Sequence, residues 1–133
     1  MERTAATVPA GGQAVRVLER AGGQVGRLDY QVCHPCQLGY IDSIAVAARW
    51  QGRGLGREAV HTALAPCPDY KWSTSRQSSQ GRRFFSAMEE ETDVAFPPSS
   101  VRCPHMLLAR PLAGPIRGFF ASSGSPRTRM GRS

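Results

Sequence analysis

The chain has 133 residues, of which 41% are hydrophobic and 20% charged, and this composition is typical of one globular domain rather than of a disordered chain. No apolar run approaches the roughly 20 residues that span a bilayer, and residues 1–6 lack the apolar core of a signal peptide, so we predict a cytoplasmic protein without membrane contact. The formal net charge of +7 comes almost entirely from residues 94–133, which carry six arginines and no carboxylate, so we do not expect the folded part to bind nucleic acid.

The first half of the chain predicts three consecutive strands. Residues 1–12, rich in Ala, Thr, Pro and Gly, predict a flexible lead-in. Three apolar stretches follow, separated by turns that contain Gly or Pro: Ala14–Glu19, Val25–Val32 and Leu38–Ala47. In the second stretch Leu28, Tyr30 and Val32 alternate onto one face. The short turns between the stretches predict an antiparallel meander.

The turn before the third strand contains two of the four cysteines. Cys33 and Cys36 have the C-x-x-C spacing of a zinc half-site or a redox pair. Cys103 and His105 could form a second half-site, but C-x-H is not a standard zinc spacing and Pro104 stiffens that link. We therefore interpret the segment as a hairpin turn with reduced thiols and assign no metal site. A small zinc protein stays as an alternative.

A glycine-rich turn, Gln51-Gly52-Arg53-Gly54-Leu55-Gly56, connects the third strand to a helical pattern that ends before Pro66. Glycines at alternate positions let the backbone curl and present consecutive N–H groups to an anion. The N-terminus of the following helix adds further free N–H groups at the same place. Together these features predict a phosphate-binding turn.

The spacing of the glycines excludes the two common nucleotide motifs. A Rossmann fingerprint requires G-x-G-x-x-G. After Gly52 and Gly54 the third glycine of this motif would stand at position 57, which is Arg57. A P-loop requires a lysine beside the turn, and the only lysine in the chain is Lys71.

The second half of the chain predicts a further strand and a second helix. Tyr70–Ser75 alternates as a strand, and the strand–helix–strand order favours a parallel pair with a right-handed crossover. Ser78 or Ser79 can cap the second helix. Its last turn contains Glu89–Glu91, which oppose the helix dipole, so we expect that end to fray. At most a short strand follows near Val101. We predict a folded domain over residues 13–106 and a basic, disordered tail over residues 107–133.

The glycine turn resembles the acetyl-CoA-binding signature of the GNAT superfamily of N-acyltransferases, Q/R-x-x-G-x-G/A, through Gln51, Gly54 and Gly56. The resemblance covers roughly residues 13–106, and its specific part is residues 44–57. It implies an α/β (α+β) fold with a mixed sheet. It also implies an enzyme that transfers an acetyl group from the cosubstrate acetyl-CoA to a small-molecule or peptide amine, by direct attack in a ternary complex.

In the family, pantetheine lies between two splayed parallel strands, which correspond to Ile41–Val46 and Tyr70–Ser75 in this chain. The resemblance implies cofactor contacts from two segments: the backbone of Ile44, Ala45 and Val46 for pantetheine, and Gln51, Gly52, Arg53, Gly54, Leu55, Gly56 and Arg57 for the pyrophosphate. The donors at the turn would be the N–H groups, and the two arginines would add charge.

The acid–base residues are less well defined by the resemblance. The family commonly protonates the departing thiolate with a tyrosine in its last conserved helix, and Phe85 stands at that position. Water, Tyr70 or Tyr40 could replace it. Asp42 is the only carboxylate on the candidate strand, so we predict that it is the catalytic base. A solvated aspartate at a strand edge is the alternative.

The beginning of the chain departs from the family. About twelve residues precede the first predicted strand, too few for the family's N-terminal strand and two helices, so the chain resembles an N-terminally truncated member. That departure leaves open a second function, a non-catalytic acyl-CoA-binding or dimerisation module, and a homodimer is compatible with both.

Overall fold

Five strands form one sheet in the order of the sequence in the computed structural model, which describes residues 1–99 and 102–109. They are β1 (Glu2–Thr4), β2 (Gly12–Leu18), β3 (Gln24–Cys33), β4 (Leu38–Val46) and β5 (Lys71–Thr74). The first four are antiparallel neighbours, whereas β4 and β5 are parallel. This mixed sheet confirms the predicted fold class, a meander followed by strand–helix–strand–helix.

Three α-helices accompany the sheet within the described residues: α1 (Leu55–Leu64), α2 (Ser79–Thr92) and α3 (Pro104–Leu108). A 3-10 turn at Ala48–Trp50 leads from β4 into the glycine turn. α1 is the crossover from β4 to β5, and α2 follows β5. None of the described helices combines the length and the apolar character needed to cross a membrane.

The main hydrophobic core lies between one face of the sheet and the helices α1 and α2. Leu28, Tyr30 and Val32 point into it from β3, as their alternation predicts. α1 contributes the apolar stripe that its period of 3.6 residues creates, namely Ala59, Val60, Ala63 and Leu64. α2 adds Phe85 and Met88, which are both buried. This core fixes the position of α1 relative to β4.

α3 covers part of the opposite face of the sheet. Its one buried residue, Met106, packs in a small cluster with Ala10, Cys33 and Tyr40. The buried amide of Gln31 donates hydrogen bonds to the backbone carbonyls of Ala10 (2.9 Å) and Met106 (3.1 Å). The segments before β2 and after residue 101 therefore meet on this face.

Three expectations from the sequence differ from the structure. The lead-in contains β1, whose Glu2 is aligned with Arg16 of β2 and forms an ion pair with it. α3 is a helix that no periodicity indicates, since only Met106 is buried. α2 continues through Glu89–Glu91 to Thr92, and two of these acids, Glu89 and Glu91, accept hydrogen bonds from groups outside the helix. The strand expected near Val101 and the tail beyond residue 109 lie outside the described residues.

Candidate functional site

The strands β4 and β5 pair over only part of their length. The parallel register runs from Leu38 opposite Lys71 to Ile41 opposite Thr74. Ser75 then closes the pairing, because its N–H donates to the carbonyl of Ile41 (2.9 Å) and its Oγ donates to the carbonyl of Asp42 (2.6 Å). Beyond that point β4 has no strand beside it on this side among the described residues. The two strands are thus splayed at the end that leads to α1.

A β-bulge in β4 lies at the start of the splay. Asp29 of β3 is aligned with Ser43, but the next residue, Tyr30, is aligned with Ile41, so Asp42 is an extra residue in β4. A bulge bends the strand that contains it and increases its local twist. The bulge therefore explains why β4 turns away from β5 at Asp42.

The backbone groups of successive residues in β4 point alternately toward β3 and toward the free edge. Ala47 donates to the carbonyl of Val25 (2.8 Å), so the odd-numbered residues of this stretch pair with β3. The backbone groups of Ile44 and Val46 therefore point to the free edge, whereas those of Ala45 point to β3. Of the three backbones expected to contact pantetheine, the structure directs two to the open side.

The glycine turn is built from two residues with left-handed backbone conformation. Gly52 and Gly54 both have φ = +78°, which residues with a side chain rarely adopt. Nothing lies within 4 Å of a Cβ added at Gly52, and at Gly54 the nearest atom, Nη1 of Arg57, is 3.6 Å away. Both glycines are therefore required by backbone geometry, and the space in front of them is open.

α1 begins at this turn without a side-chain cap. Gly54 is its N-cap residue and has no side chain to accept a hydrogen bond. The first intrahelical bond joins the N–H of Glu58 to the carbonyl of Gly54 (3.0 Å). The N–H groups of Leu55, Gly56 and Arg57 come before that bond and point out of the helix end. This end of α1 also carries the positive end of the helix dipole.

Gly56 brings the helix end close to the free edge of β4. A Cβ added there would lie 3.4 Å from the ring of Phe84 and 3.6 Å from Cδ1 of Ile44. The first turn of α1, the edge residue Ile44 and the α2 side chain Phe84 are therefore neighbours. The glycine turn and the open strand edge are therefore adjacent.

The polar side chains of the turn are engaged within the protein. The amide of Gln51 donates to the carbonyl of Val46 (2.9 Å), which ties the turn to β4. The guanidinium of Arg53 lies 4.8 Å from the centroid of the Trp50 ring. Nε of Arg57 donates to the carboxylate of Glu91 on α2 (2.7 and 2.8 Å), and His61 contacts the same carboxylate. The backbone N–H groups therefore remain available at the turn, together with Nη1 of Arg57, which lies 3.6 Å from the position of a Cβ on Gly54.

Asp42 lies half-buried on the face of the sheet opposite α1, beside a second aspartate that the sequence analysis missed. Burial raises the pKa of Asp42, the positive charge of Arg102 opposes this effect, and Asp29 raises the pKa further. Burial also raises the pKa of Asp29, against the opposing effect of its hydrogen bond with Arg27 (2.9 Å). The only sequence signal for Asp29 is a carboxylate placed between two apolar residues of a strand, Leu28 and Tyr30.

The structure places Phe85, and the two tyrosines that could replace the family's proton donor, in three different surroundings. Phe85 is a core residue whose ring is 5.4 Å from that of Phe96. The hydroxyl of Tyr70 is 2.8 Å from Nδ1 of His34, at the opposite end of β5 from the splay. Tyr40 is buried, and the guanidinium of Arg102 lies 4.8 Å from its ring centroid. Of the three, Tyr40 alone is close to Asp42. Burial is the main cause of the raised pKa of Tyr40, and the charge of Asp42 is the second cause.

Comparison with known proteins identifies the family. The model of the acetyltransferase (GNAT) family matches residues 8–91, a span that includes both the splayed strands and the glycine turn. The chain belongs to the GNAT acetyltransferase family. This confirms the resemblance found in the Gln51–Gly56 turn. A search of curated proteins gives no significant match.

Solved structures with a similar fold have low sequence identity to this chain. A proposed acetyltransferase from Deinococcus radiodurans R1 is 19% identical, with a TM-score of 0.53 over 76% of this chain and 67% of that one. Ribosomal-protein-alanine N-acetyltransferase from Brucella melitensis biovar Abortus 2308 is 16% identical, with a TM-score of 0.51 over 69% of this chain and 66% of that one. GCN5 from Tetrahymena is 14% identical, with a TM-score of 0.47 over 61% of this chain and 49% of that one. This GNAT chain thus matches about half to two thirds of the length of these proteins, and the likeness concerns the fold.

Proposed function

We propose that this GNAT chain binds acetyl-CoA at the glycine turn and the free edge of β4, and transfers the acetyl group to an amine in the cytoplasm. The observation that carries the proposal is the continuity of two features: β4 separates from β5 after Ile41, and the freed edge leads to an uncapped helix start. A strand edge suits an extended chain such as pantetheine, and a free helix start suits a diphosphate.

The pyrophosphate would bind to backbone N–H groups of the turn and of the first turn of α1. Gly54 and Gly52 hold the turn in the left-handed conformation, and Leu55, Gly56 and Arg57 supply outward donors. Arg57 would add charge that its ion pair with Glu91 partly offsets, since its Nε donates to that carboxylate while its Nη1 lies at the turn, 3.6 Å from the position of a Cβ on Gly54. Affinity in this proposal therefore depends on the backbone donors, with a smaller contribution from Arg57.

The pantetheine would run along β4 as an additional strand. The N–H groups of Ile44 and Val46 are the donors on the free side, while the carbonyl of Val46 already accepts a hydrogen bond from Gln51. A donor fixed at this edge would also polarise the thioester carbonyl and stabilise the oxyanion that forms when the amine attacks.

Asp42 would accept the proton of the attacking ammonium group. Its raised pKa makes it a better base than an ordinary aspartate, since a general base works best when its pKa approaches the working pH. The amine nitrogen bonds to the carbonyl carbon, the tetrahedral intermediate collapses, and the carbon–sulfur bond breaks. We assign protonation of the departing thiolate to water, because Phe85 has no proton to give and is buried. Asp29 beside Asp42 would favour a cationic acceptor.

Calorimetric titration of the purified chain with acetyl-CoA, followed by detection of free CoA thiol with a panel of small amines and peptides, tests the proposal. We expect binding, and turnover with at least one amine. Gly54→Val should remove binding, whereas Gly22→Val should retain it. Gly22 is the matched control because it has φ = +97° and open space around it, but lies in the turn between β2 and β3. Equal affinities of both folded variants would refute the site.

A second function is favoured by one observation, the burial of Phe85 where the family commonly has a tyrosine. A GNAT-derived module that binds acyl-CoA without catalysis would need the turn and the strand edge but no proton donor. Tight binding of acetyl-CoA without thiol release for any amine supports this module. Light scattering with and without CoA would show whether binding joins two copies.

A further inference from the structure

Three cysteines and one histidine from distant parts of the sequence meet at one end of the sheet. Cys33 ends β3, Cys36 lies in the turn that follows, and Cys103 and His105 begin α3. Their ligand atoms, three sulfurs and one ring nitrogen, all lie within 4.8 Å of one another. These four residues are called the Cys3His cluster below. The cluster lies near the N-terminal end of β4, whereas the proposed CoA site lies at the C-terminal end of this strand.

The distances within the cluster fit a tetrahedral metal ion. Nδ1 of His105 is 3.4 Å from Sγ of Cys33 and also 3.4 Å from Sγ of Cys36. Zinc bonds of about 2.3 Å to sulfur and about 2.0 Å to nitrogen place tetrahedral ligand atoms about 3.5 to 3.8 Å apart. An ion at the centre of the cluster would therefore need only small adjustments of the side chains.

We propose that the Cys3His cluster binds one zinc ion. Three thiolates and one imidazole are a standard zinc ligand set. Because the protein would supply all four ligands, no position remains for water or substrate, and the ion would be structural rather than catalytic. Zinc has no redox chemistry, so binding would exchange only protons: each coordinating thiol releases its proton when its sulfur bonds to the metal.

Local backbone geometry makes both halves of the site. In the turn after Cys33, the N–H of Gln37 donates to the carbonyl of His34 (3.2 Å), and Gln37 has a φ of +55°. This tight turn brings Cys36 back beside Cys33. At the other half, Cys103 is the extended N-cap residue of α3 and Pro104 occupies the first turn. The C-x-H spacing, unusual in an uninterrupted helix or strand, works because the chain changes direction between these residues.

Two further residues of the same types, His34 and Cys67, are not part of the cluster. His34 lies between the two cysteines of the C-x-x-C segment, but its Nδ1 is 2.8 Å from the hydroxyl of Tyr70, away from the cluster. Cys67, the fourth cysteine, is buried in the main core with α1. The chain therefore contains an internal control for each type of ligand.

The metal would attach α3 to the hairpin between β3 and β4. α3 has five residues and buries only Met106, so it is too short to be stable by itself. Arg102, which directly precedes the cluster, donates to Gln31 (2.8 Å) and lies over Tyr40. A zinc ion would thus also hold Arg102 in place, whose positive charge lowers the pKa of Asp42 against the effect of burial.

Elemental analysis of the purified full chain, with its thiols kept reduced, is the first test. We expect about one zinc per chain in the wild type, in His34→Asn and in Cys67→Ala. Cys36→Ser and His105→Asn should each lower zinc affinity by more than the roughly 10- to 100-fold that loss of an indirect supporting group costs. Cys36 is exposed, so its replacement by Ser should leave the sheet intact. Zinc retained in full by Cys36→Ser would overturn the proposal.

Cobalt titration of the wild-type chain after chelation gives a readout that does not depend on any variant. We expect the absorption bands of tetrahedral Co²⁺ with thiolate charge transfer, saturating at one ion and displaced by an equivalent of zinc. An octahedral spectrum, or no binding to the reduced protein, would contradict the site. So would a disulfide between Cys33 and Cys36, found by mass spectrometry of freshly prepared, metal-free protein.

Discussion

The first turns of α1 and α2 pose the same physical problem, which the chain solves in opposite ways. α2 starts after Ser78, whose Oγ accepts a hydrogen bond from the N–H of Gly81 (3.0 Å). This is the usual way to satisfy an unpaired donor at a helix start. α1 starts after Gly54, which has a left-handed backbone and no side chain. Its donors stay free beside the open edge of β4.

The difference shows which helix start serves stability and which serves binding. A serine cap stabilises a helix by about 1 kcal/mol, and of the two longer helices, α1 and α2, only α1 lacks a side-chain cap. Sequences that break a local rule often do so at functional sites. The comparison predicts that changes at Gly54 affect ligand affinity, whereas changes at Ser78 affect only the free energy of unfolding.

The largest expected effect follows from a side chain at the start of α1. Gly54→Val should abolish detectable acetyl-CoA binding, because its branched side chain occupies the space where phosphate must approach the backbone. The left-handed φ adds strain of about 1 to 2 kcal/mol, which Gly22→Val shares at its own turn. Calorimetric titration and thermal unfolding of both variants separate the two effects. If Gly22→Val loses affinity as well, the effect is general destabilisation and not occlusion.

Asp42→Asn should have the next largest effect, on turnover but not on binding. We expect kcat to fall at least about 100-fold, since general base catalysis contributes about 10² to 10⁴. Wild-type activity should decline as the pH falls through the raised pKa of Asp42, and the variant should lack this decline. Asp69→Asn, at an exposed acid outside the site, is the control. An unchanged pH profile in Asp42→Asn would remove the residue from the mechanism.

Asp42→Asn should raise the stability of the fold, although it lowers activity. Burial raises the pKa of Asp42 above its value in the unfolded chain, so the native state binds the proton more tightly between the two values. Stability from this group therefore decreases as the pH rises through that interval. Asp42→Asn should thus unfold at a higher temperature than the wild type near neutral pH. A lower melting temperature would show that the ionised carboxylate stabilises the fold.

The sequence predicted the elements whose reasons are local. The alternation of Leu28, Tyr30 and Val32, the glycine turn and the Ser78 cap all appear in the structure. Features that depend on distant partners could not be predicted in this way. The bulge at Asp42 depends on the register with β3, and Arg57 forms an ion pair with a residue on another helix. The Cys3His cluster joins residues about seventy positions apart, so the sequence offered all four as candidate ligands but could not show that they meet.

Ser78→Ala should have a smaller effect, confined to stability. Loss of the cap should lower the free energy of unfolding by about 1 kcal/mol, because the N–H of Gly81 loses its acceptor. Acetyl-CoA affinity should remain that of the wild type. Ser79→Ala is the matched control, since Ser79 is the exposed first residue of α2 and does not serve as its cap. Denaturant unfolding of both variants measures the difference. A loss of affinity in Ser78→Ala would contradict the separation of roles between the two helix starts.

The smallest expected effect tests whether the two helices are coupled through charge. Glu91 on α2 accepts hydrogen bonds from His61 and Arg57 of α1, and these contacts, that of His61 first, lower the pKa of its carboxyl. Glu91→Gln should remove the carboxylate that offsets the charge of Arg57, whose Nη1 already lies at the turn, and should strengthen CoA binding a few-fold at low salt. The gain should shrink at high salt, because exposed charges are screened. Glu90→Gln, one residue earlier on α2, removes the same charge and should change affinity less. Titrations of both variants at two salt concentrations would show whether Arg57 contributes charge to the pyrophosphate site, or whether the backbone donors act alone.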